Sequence, residues 1–181
     1  MQIITTDIKE VKIIESKIFT DDRGYFYEAF NINTLEANGI HFVPVQENCA
    51  FSKKKGTIRG LHFQNDPMAQ AKIVRCIAGR VMDYAVDLRK NSETYLQYVS
   101  VELSAQNKRQ LYIPRGFAHG VISIEDNSAI EYFADNPYSP KEDRSIRYND
   151  PSIHIDWTIP DVILSDKDRN APFLCESDCN Y

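Results

Sequence analysis

Two histidines stand in short, strand-like runs that could line one site. The first lies in Arg59-Gly60-Leu61-His62-Phe63-Gln64, and the second lies in Pro114-Arg115-Gly116-Phe117-Ala118-His119-Gly120. The flanking segments alternate apolar and polar residues, which is typical of strands in a small β-barrel. Histidine has the unperturbed side-chain pKa nearest neutrality, and it also binds metals. The pattern is therefore compatible with a metal centre or with a metal-free acid–base site.

The residue two positions after His62 argues against a metal. Barrels of the cupin type that bind a metal usually carry a second histidine there and a glutamate nearby. This chain has Gln64 instead, and no glutamate follows before Gly79. A neutral amide is a poor ligand where a transition metal requires imidazole or carboxylate. We therefore expect a barrel without a bound metal.

Two cations beside His62 favour a role for it in proton transfer. A lone strand histidine is more often a core or surface residue than a catalyst. However, Arg59 and Lys72 lie in runs that are otherwise fit for burial. Cations are seldom buried without a partner, so they indicate a bound anion or a developing negative charge. A base beside cations fits proton abstraction next to a carbonyl.

The composition indicates one globular domain over residues 1–181. Hydrophobic residues make up 43% of the 181 positions and the net charge is −5, so neither disorder nor a nucleic-acid partner is expected. No apolar run approaches membrane-spanning length, and the first twenty residues lack the apolar core of a signal peptide. We expect a cytoplasmic protein that does not bind a membrane.

Strand signals dominate the elements that must position the histidines. One short helix is predicted from Asn33 to Asn38, with Asn33 or Thr34 as N-cap and Gly39 as the stop. The predicted strands are bounded mostly by turn residues and favour an antiparallel sandwich or jelly roll. From residue 137 to 181 the chain is richer in Pro, Asp and Ser, which predicts a segment that wraps the barrel and adds a short helix. The predicted strands are Val11–Ile18, Tyr25–Phe30, His41–Cys49, Gly56–Gln64, Ala71–Ala78, Arg80–Asp87, Gln97–Leu103, Lys108–Ile113, Gly120–Ile124 and Ser128–Ala134.

The ordered set of these motifs resembles the dTDP-4-dehydrorhamnose 3,5-epimerase family of sugar-nucleotide enzymes. The likeness runs from about Phe19 to Pro172. It implies an all-β jelly-roll (cupin) barrel, a homodimer, a nucleotide-sugar substrate, and neither a metal nor a redox cofactor. The motifs that carry it are Asp21-Asp22-Arg23-Gly24-Tyr25-Phe26-Tyr27-Glu28, Gln46-Glu47-Asn48, Gly56 to Gln64, Ala71 to Arg75, Asp83 to Arg89, Tyr112 to Gly120, Asn149-Asp150-Pro151, Ile155-Asp156-Trp157 and Leu164 to Asp168.

The resemblance also implies a role for individual residues. His62 is similar to the general base and Asp168 to the carboxylate that hydrogen-bonds it. Tyr132 matches the acid on the opposite sugar face, and Lys72 matches the cation near the C4 oxygen. Other positions match residues that bind the substrate's nucleotide and diphosphate, and His119 lies in the same cavity. These substrate-binding positions are Arg23, Phe26, Glu28, Gln46, Asn48, Arg59, Tyr138 and Lys167.

One departure from the family pattern lies beside the acid. The family's usual Tyr-Lys pair reads Tyr132-Phe133 in this chain. We expect Tyr132 to lack a nearby cation that would ease its deprotonation, and one carbon, C3, to invert faster than C5. Inversion at both carbons is the default expectation, and C3 is expected to be the faster of the two.

Three functional classes are compatible with the sequence. The first is a metal-independent epimerase of a nucleoside-diphosphate 4-keto-6-deoxyhexose, which inverts C3, C5 or both through an enolate. The second is a single-carbon epimerase or ketoisomerase of a related nucleotide sugar. The third is a non-catalytic or metal-dependent cupin, which the presence of both His62 and Tyr132 and the identity of Gln64 disfavour.

Overall fold

The computed structural model describes residues 1–181 as thirteen strands, two short α-helices and one 3-10 turn. None of its helices has the length and apolar character needed to cross a membrane. The elements in chain order are β1 (Gln2–Thr5), β2 (Lys12–Glu15), β3 (Ile18–Asp21), β4 (Gly24–Tyr27), α1 (Ile32–Ala37), β5 (Gln46–Ser52), β6 (Ile58–Gln64), β7 (Lys72–Ala78), β8 (Arg80–Asp87), β9 (Tyr98–Ser104), β10 (Gln110–Ile113), β11 (Phe117–Ser123), β12 (Ser128–Ala134), β13 (Asp143–Ser145), α2 (Asp166–Arg169) and the 3-10 turn Leu174–Glu176.

Two antiparallel sheets form the body of the protein. The six-stranded sheet has the order β1-β2-β10-β7-β12-β5, and the five-stranded sheet has the order β13-β6-β11-β8-β9. Strands β3 and β4 form a separate hairpin. Apart from the consecutive pairs β1–β2 and β8–β9, neighbours in each sheet come from distant parts of the chain, as in a jelly roll. The all-β jelly-roll prediction is confirmed.

Three hydrophobic clusters hold the layers together. The largest packs the inner faces of the two sheets against each other, with Val74 and Leu111 from one sheet and Val101 and Val121 from the other. A smaller cluster around Leu35 packs α1 and the segment after it against the outer face of the six-stranded sheet. Alternation of side chains along the strands supplies both faces.

The third cluster lies on the outer face of the five-stranded sheet. Ile146, Ile153, Trp157 and Cys179 of the last segment cover it, packing against residues of β6, β8 and β11. Residues 137–181 thus run across the sheet that carries both histidines and bring α2 to β6. The predicted wrapping segment and its short helix are both present.

Several predicted boundaries are wrong for identifiable reasons. The segment predicted as Val11–Ile18 contains β2 and the start of β3, separated by two residues. The strand predicted from His41 begins only at Gln46, after Pro44, which has no amide hydrogen to donate. Helix α1 begins at Ile32, one residue earlier than expected. Its N-cap is Asn31, not Asn33 or Thr34, and the Asn31 side chain accepts a hydrogen bond from the Thr34 amide at 3.2 Å.

Candidate active site

The two sheets enclose a cavity of about 250 Å³ that gathers most of the predicted site residues. One wall comes from β6 and β11 of the five-stranded sheet, and the other comes from β5, β7 and β12 of the six-stranded sheet. Groups on the two walls therefore face a bound molecule from opposite sides. The lining residues are Ala50, Arg59, His62, Phe63, Gln64, Gln70, Lys72, His119, Val121, Ile130, Tyr132, Tyr138, Asp143 and Lys167.

An irregularity in β6 turns His62 into this cavity. Strict alternation would place Arg59 and His62 on opposite faces of the strand, yet both line the cavity. Opposite them, β11 pairs His119 with His62 and Val121 with Arg59, so β6 carries one extra residue. Gly60 lies within this bulge at φ +142°, a conformation that side chains disfavour. The bulge also puts the two histidines side by side.

His62 and Asp168 form a hydrogen-bonded pair. The distance from His62 Nε2 to Asp168 Oδ1 is 2.6 Å, and the Asp168 side chain is buried. Ser165, the N-cap of α2, donates to Asp168 Oδ2 at 2.9 Å and so holds the second carboxylate oxygen. Burial acts to raise the pKa of Asp168, but the hydrogen bond and charge of His62 outweigh it and hold that pKa below its ordinary value. An ionised carboxylate thus fixes the imidazole and leaves its Nδ1 available.

Lys72 is a buried cation without a partner in the chain. It begins β7, has 8% relative exposure, and its Nζ makes no hydrogen bond or salt bridge to the protein. Burial lowers the pKa of Lys72 to about 8, and the charges of Asp83 and Asp143 limit the fall. Most molecules therefore carry an ammonium here at neutral pH. Such a group is suited to an oxygen on a bound ligand.

Tyr132 approaches the cavity from the sheet opposite His62. Its ring lies 5.6 Å from Lys72 Nζ and 6.3 Å, centroid to centroid, from the ring of His119. Its hydroxyl makes no hydrogen bond within the chain, while burial raises the pKa of that hydroxyl. At neutral pH it is therefore a neutral O–H donor that faces the cavity.

The expectation that Phe133 leaves Tyr132 without a nearby cation is wrong. Side chains alternate along β12, so Phe133 points to the outer face and packs edge-on against Phe30 at 5.8 Å. A residue at position 133 does not enter the cavity. The cations near Tyr132 come from other strands: Lys72, and Arg59, whose charge partly offsets the rise in the pKa of Tyr132 that burial causes.

His119 forms a second imidazole–carboxylate pair, deeper in the cavity wall. Its Nε2 lies 3.1 Å and 3.0 Å from the two oxygens of Asp83, and the Asp83 side chain is wholly buried. Asp83 was not among the predicted site residues. The signal was a lone acid within the apolar run Asp83-Tyr84-Ala85-Val86, because a buried charge requires a partner.

The cavity mouth carries three of the predicted substrate-binding residues. Lys167 pairs with Asp143 at 2.6 Å, and the Tyr138 hydroxyl donates to the same carboxylate at 3.3 Å. Arg59 donates to the Phe51 carbonyl at 2.7 Å and has no acidic partner. Asp143, the acid between these groups, was also missed, since nothing in the surrounding sequence distinguishes it.

The other predicted binding residues lie outside the cavity lining. Gln46 and Asn48 hydrogen-bond each other on β5 at 2.9 Å, and Gln46 also accepts from the Tyr138 amide at 2.8 Å. Arg23 and Phe26 lie on the β3–β4 hairpin, with 90% of the Arg23 side chain and 71% of Phe26 exposed. Glu28 follows that hairpin and accepts from Asn31 at 3.0 Å. The structure does not bring the hairpin residues to the cavity of the same chain.

The donor set beside His62 does not fit a metal ion. The Gln64 amide nitrogen donates to the carbonyls of Met68 and Pro137, and its oxygen accepts from the Ser139 amide. No group of three or more His, Cys, Asp or Glu side chains is placed to hold a metal. The Gln64 side chain therefore holds the backbone of the cavity wall through these hydrogen bonds.

Known proteins of one family are similar to this chain over nearly its whole length. Residues 5–176 match the family model for dTDP-4-dehydrorhamnose 3,5-epimerase. The enzyme of that name from Shigella flexneri is 46% identical over 179 residues, covering 98% of both chains. A dTDP-6-deoxy-D-glucose-3,5-epimerase from Legionella pneumophila, solved with dTDP-4-keto-L-rhamnose, superposes with a TM-score of 0.93 at 45% identity, covering 98% of this chain and 94% of that one.

A more distant relative performs a narrower reaction. The 3′-monoepimerase from Streptomyces bikiniensis, solved with dTDP-quinovose, is 30% identical with a TM-score of 0.88, covering 95% of this chain and 87% of that one. The full-length matches, together with the cavity and its imidazole–carboxylate pairs, establish that this chain belongs to the dTDP-4-dehydrorhamnose 3,5-epimerase family of isomerases.

Proposed function

We propose that this protein converts dTDP-4-dehydro-6-deoxyglucose to dTDP-4-dehydrorhamnose by inverting C3 and C5. The names and bound ligand of its relatives support this substrate class. The observation that carries the proposal is that His62, Lys72 and Tyr132 line one cavity, each with a polar atom that has no hydrogen-bond partner in the chain. These three groups can therefore act together on one bound sugar.

His62 is the proposed base. The hydrogens at C3 and C5 both flank the C4 carbonyl, so removing either one gives an enolate. Asp168 accepts the hydrogen bond from Nε2–H, which leaves Nδ1 to take the proton from carbon. The imidazolium that forms faces an ionised carboxylate at 2.6 Å, which stabilises the charge as it develops.

Lys72 is the proposed stabiliser of the enolate. The negative charge of the enolate resides largely on O4, and a buried ammonium placed there in advance lowers the barrier. Because Lys72 makes no hydrogen bond to the protein, its donors are free for O4. Burial strengthens the interaction, since water does not screen it.

Tyr132 is the proposed acid on the other face. Inversion requires that a proton leaves one face of the carbon and returns to the other. His62 and Tyr132 belong to different sheets, so they stand on opposite walls of the cavity. Protonation of the enolate by the Tyr132 hydroxyl completes the inversion; solvent then returns a proton to the tyrosinate and takes the one held by the His62 imidazolium.

Residues at and beyond the mouth are proposed to hold the nucleotide. Arg59, Lys167 and Tyr138 offer two cations and an aromatic ring for a diphosphate and a base. Arg23, Phe26 and Glu28 are proposed to reach the site of a second subunit in a homodimer. The exposure of Phe26 in a hairpin detached from both sheets supports that arrangement.

A C3-only epimerase is the second candidate, because the Streptomyces bikiniensis monoepimerase has the same fold. The test is incubation of the protein with dTDP-4-dehydro-6-deoxyglucose, with the product resolved by NMR. The proposal expects dTDP-4-dehydrorhamnose, inverted at both carbons. Inversion at C3 alone would support the second candidate, and the absence of any inversion would refute both.

A further inference from the structure

Residues 178–181 hydrogen-bond to residues 64–66, at the end of β6 and just after it. The Asn180 side chain accepts from the Asp66 amide at 3.0 Å and donates to the Asp66 carbonyl at 3.1 Å, so it clasps one residue at two points. Asn65 in turn donates to the Asp178 carbonyl at 3.0 Å. The ring of Tyr181 packs 5.9 Å from that of Phe63, and its hydroxyl donates to the Gln64 carbonyl. We call residues 178–181 the tail clasp.

The tail clasp is itself anchored to the body of the protein. Asp178 forms a two-point ion pair with Arg144, which belongs to β13. Cys179 is buried in the outer cluster on the five-stranded sheet, and its carbonyl accepts from Lys90 at 3.4 Å. The tail clasp is therefore itself held in place while it contacts residues 63–66.

The segment that the tail clasp contacts, residues 63–66, contributes to one wall of the cavity through Phe63 and Gln64. Gln64 lines the cavity, and its side chain donates to the carbonyls of Met68 at 2.6 Å and Pro137 at 3.2 Å and accepts from the Ser139 amide at 2.7 Å. These bonds flank Tyr138, which also lines the cavity. A displacement of the Gln64 backbone would thus be passed to Tyr138.

His62 is less dependent on the tail clasp. It lies inside β6, paired with His119 of β11 on one side and with Ser145 of β13 on the other, and it is bonded to Asp168. Loss of the tail clasp should therefore move the wall that binds substrate while the base keeps its place.

We propose that Asn180 and Tyr181 are positioning residues that act through Gln64 to hold the Tyr138 wall for the nucleotide sugar. This inference rests on the proposed function for its substrate. It predicts a separation of kinetic effects, in which substrate binding weakens and the chemical step persists. A part that was only structural would instead reduce stability without changing the Michaelis constant.

The test compares Asn180→Ala and Tyr181→Phe with Asn107→Ala. Asn107 makes a similar clasp in the turn before β10, accepting from the Ser104 amide and donating to the Glu102 carbonyl, both at 3.0 Å, and it does not line the cavity. Asn180→Ala should raise KM about tenfold, the factor that corresponds to about 1.4 kcal/mol, with kcat within about twofold. Tyr181→Phe should raise KM by a smaller factor, and Asn107→Ala should leave KM unchanged.

Amide hydrogen exchange gives a second readout that does not need turnover. In Asn180→Ala the Ser139 amide, which donates to Gln64, should exchange about tenfold faster, whereas in Asn107→Ala it should not change. An Asn180→Ala variant that matches Asn107→Ala in KM, or in Ser139 exchange, would overturn the proposal. If the wild-type protein does not epimerise the sugar, the proposed function fails, and Ser139 exchange alone then decides this inference.

Discussion

Replacement of Lys72 by methionine is expected to stabilise the protein and to remove most of its activity. The native ammonium is buried without a hydrogen bond, so the fold carries the cost of desolvating it. The fall of the Lys72 pKa from 10.5 to about 8 measures that cost, at about 1.4 kcal/mol for each unit of pKa. Methionine is unbranched and apolar, so Lys72→Met should raise the free energy of unfolding by about 3 kcal/mol at pH 7.

The pH dependence gives this prediction a definite sign. Between pH 8 and 10.5 an unfolded chain holds the proton that native Lys72 has released, so the wild-type unfolding free energy rises with pH across this window. The methionine variant lacks that contribution. The difference in unfolding free energy between Lys72→Met and the wild type should therefore be largest below pH 8 and should shrink toward zero near pH 10.5.

Denaturant unfolding at pH 7 and pH 10.5, paired with kcat, tests the prediction. Loss of one preorganised donor to an oxyanion typically costs about 10² to 10³ in kcat. Lys141→Met is the control, because that side chain is 91% exposed and its removal should change stability by less than about 0.5 kcal/mol. A Lys72→Met variant that is less stable than the wild type at pH 7, or that keeps near-normal kcat, would refute this account of Lys72.

Three further substitutions test other parts of the site. Asp168→Asn removes the charge that faces His62 at 2.6 Å, and the loss of about 1.5–3 kcal/mol from a charged hydrogen bond should lower kcat about 10- to 100-fold. An unchanged kcat would contradict a catalytic role for the His62–Asp168 pair. Gly60→Ala would place a Cβ 2.6 Å from Gly120 Cα, so the melting temperature of this variant should fall well below that of the control Gly24→Ala, where φ is also positive but a Cβ would meet nothing within 4 Å. Equal melting temperatures of the two variants would refute the role of the bulge. Arg23→Ala should raise KM in a substrate titration and leave kcat unchanged, and an unaltered KM would argue against a contribution of the hairpin to binding.

Sequence patterns were most reliable where burial repeats regularly. Strand β12 was predicted at its observed bounds, Ser128–Ala134, because turn residues precede it and most of its residues are apolar or aromatic. The pairing of His62 with Asp168, implied by the family resemblance, is present as a hydrogen bond. Those two residues are 106 positions apart, and only the path of the wrapping segment, which spacing does not reveal, brings them together.

The features that sequence reasoning missed are those set by register. The extra residue at Gly60 puts Arg59 and His62 on the same face of β6, and the sequence analysis did not predict this bulge although a glycine within a strand is a signal for one. Phe133 was read as a neighbour of the Tyr132 hydroxyl, yet adjacent strand residues face opposite sides. Asp143 reaches the cavity only because β13 pairs with β6.

The separation of hydrogen exchange from inversion in Tyr132→Phe tests the two-walled mechanism most directly. The substitution keeps the ring and removes only the hydroxyl that faces the cavity from the sheet opposite His62. With dTDP-4-dehydro-6-deoxyglucose in deuterated water, NMR should show deuterium at the carbons next to C4, because His62 still removes a proton and can return a deuteron to the same face. Inverted product should fall sharply in the same sample. Undiminished inversion in Tyr132→Phe would contradict the assignment of the acid and, with it, the placement of acid and base on opposite walls.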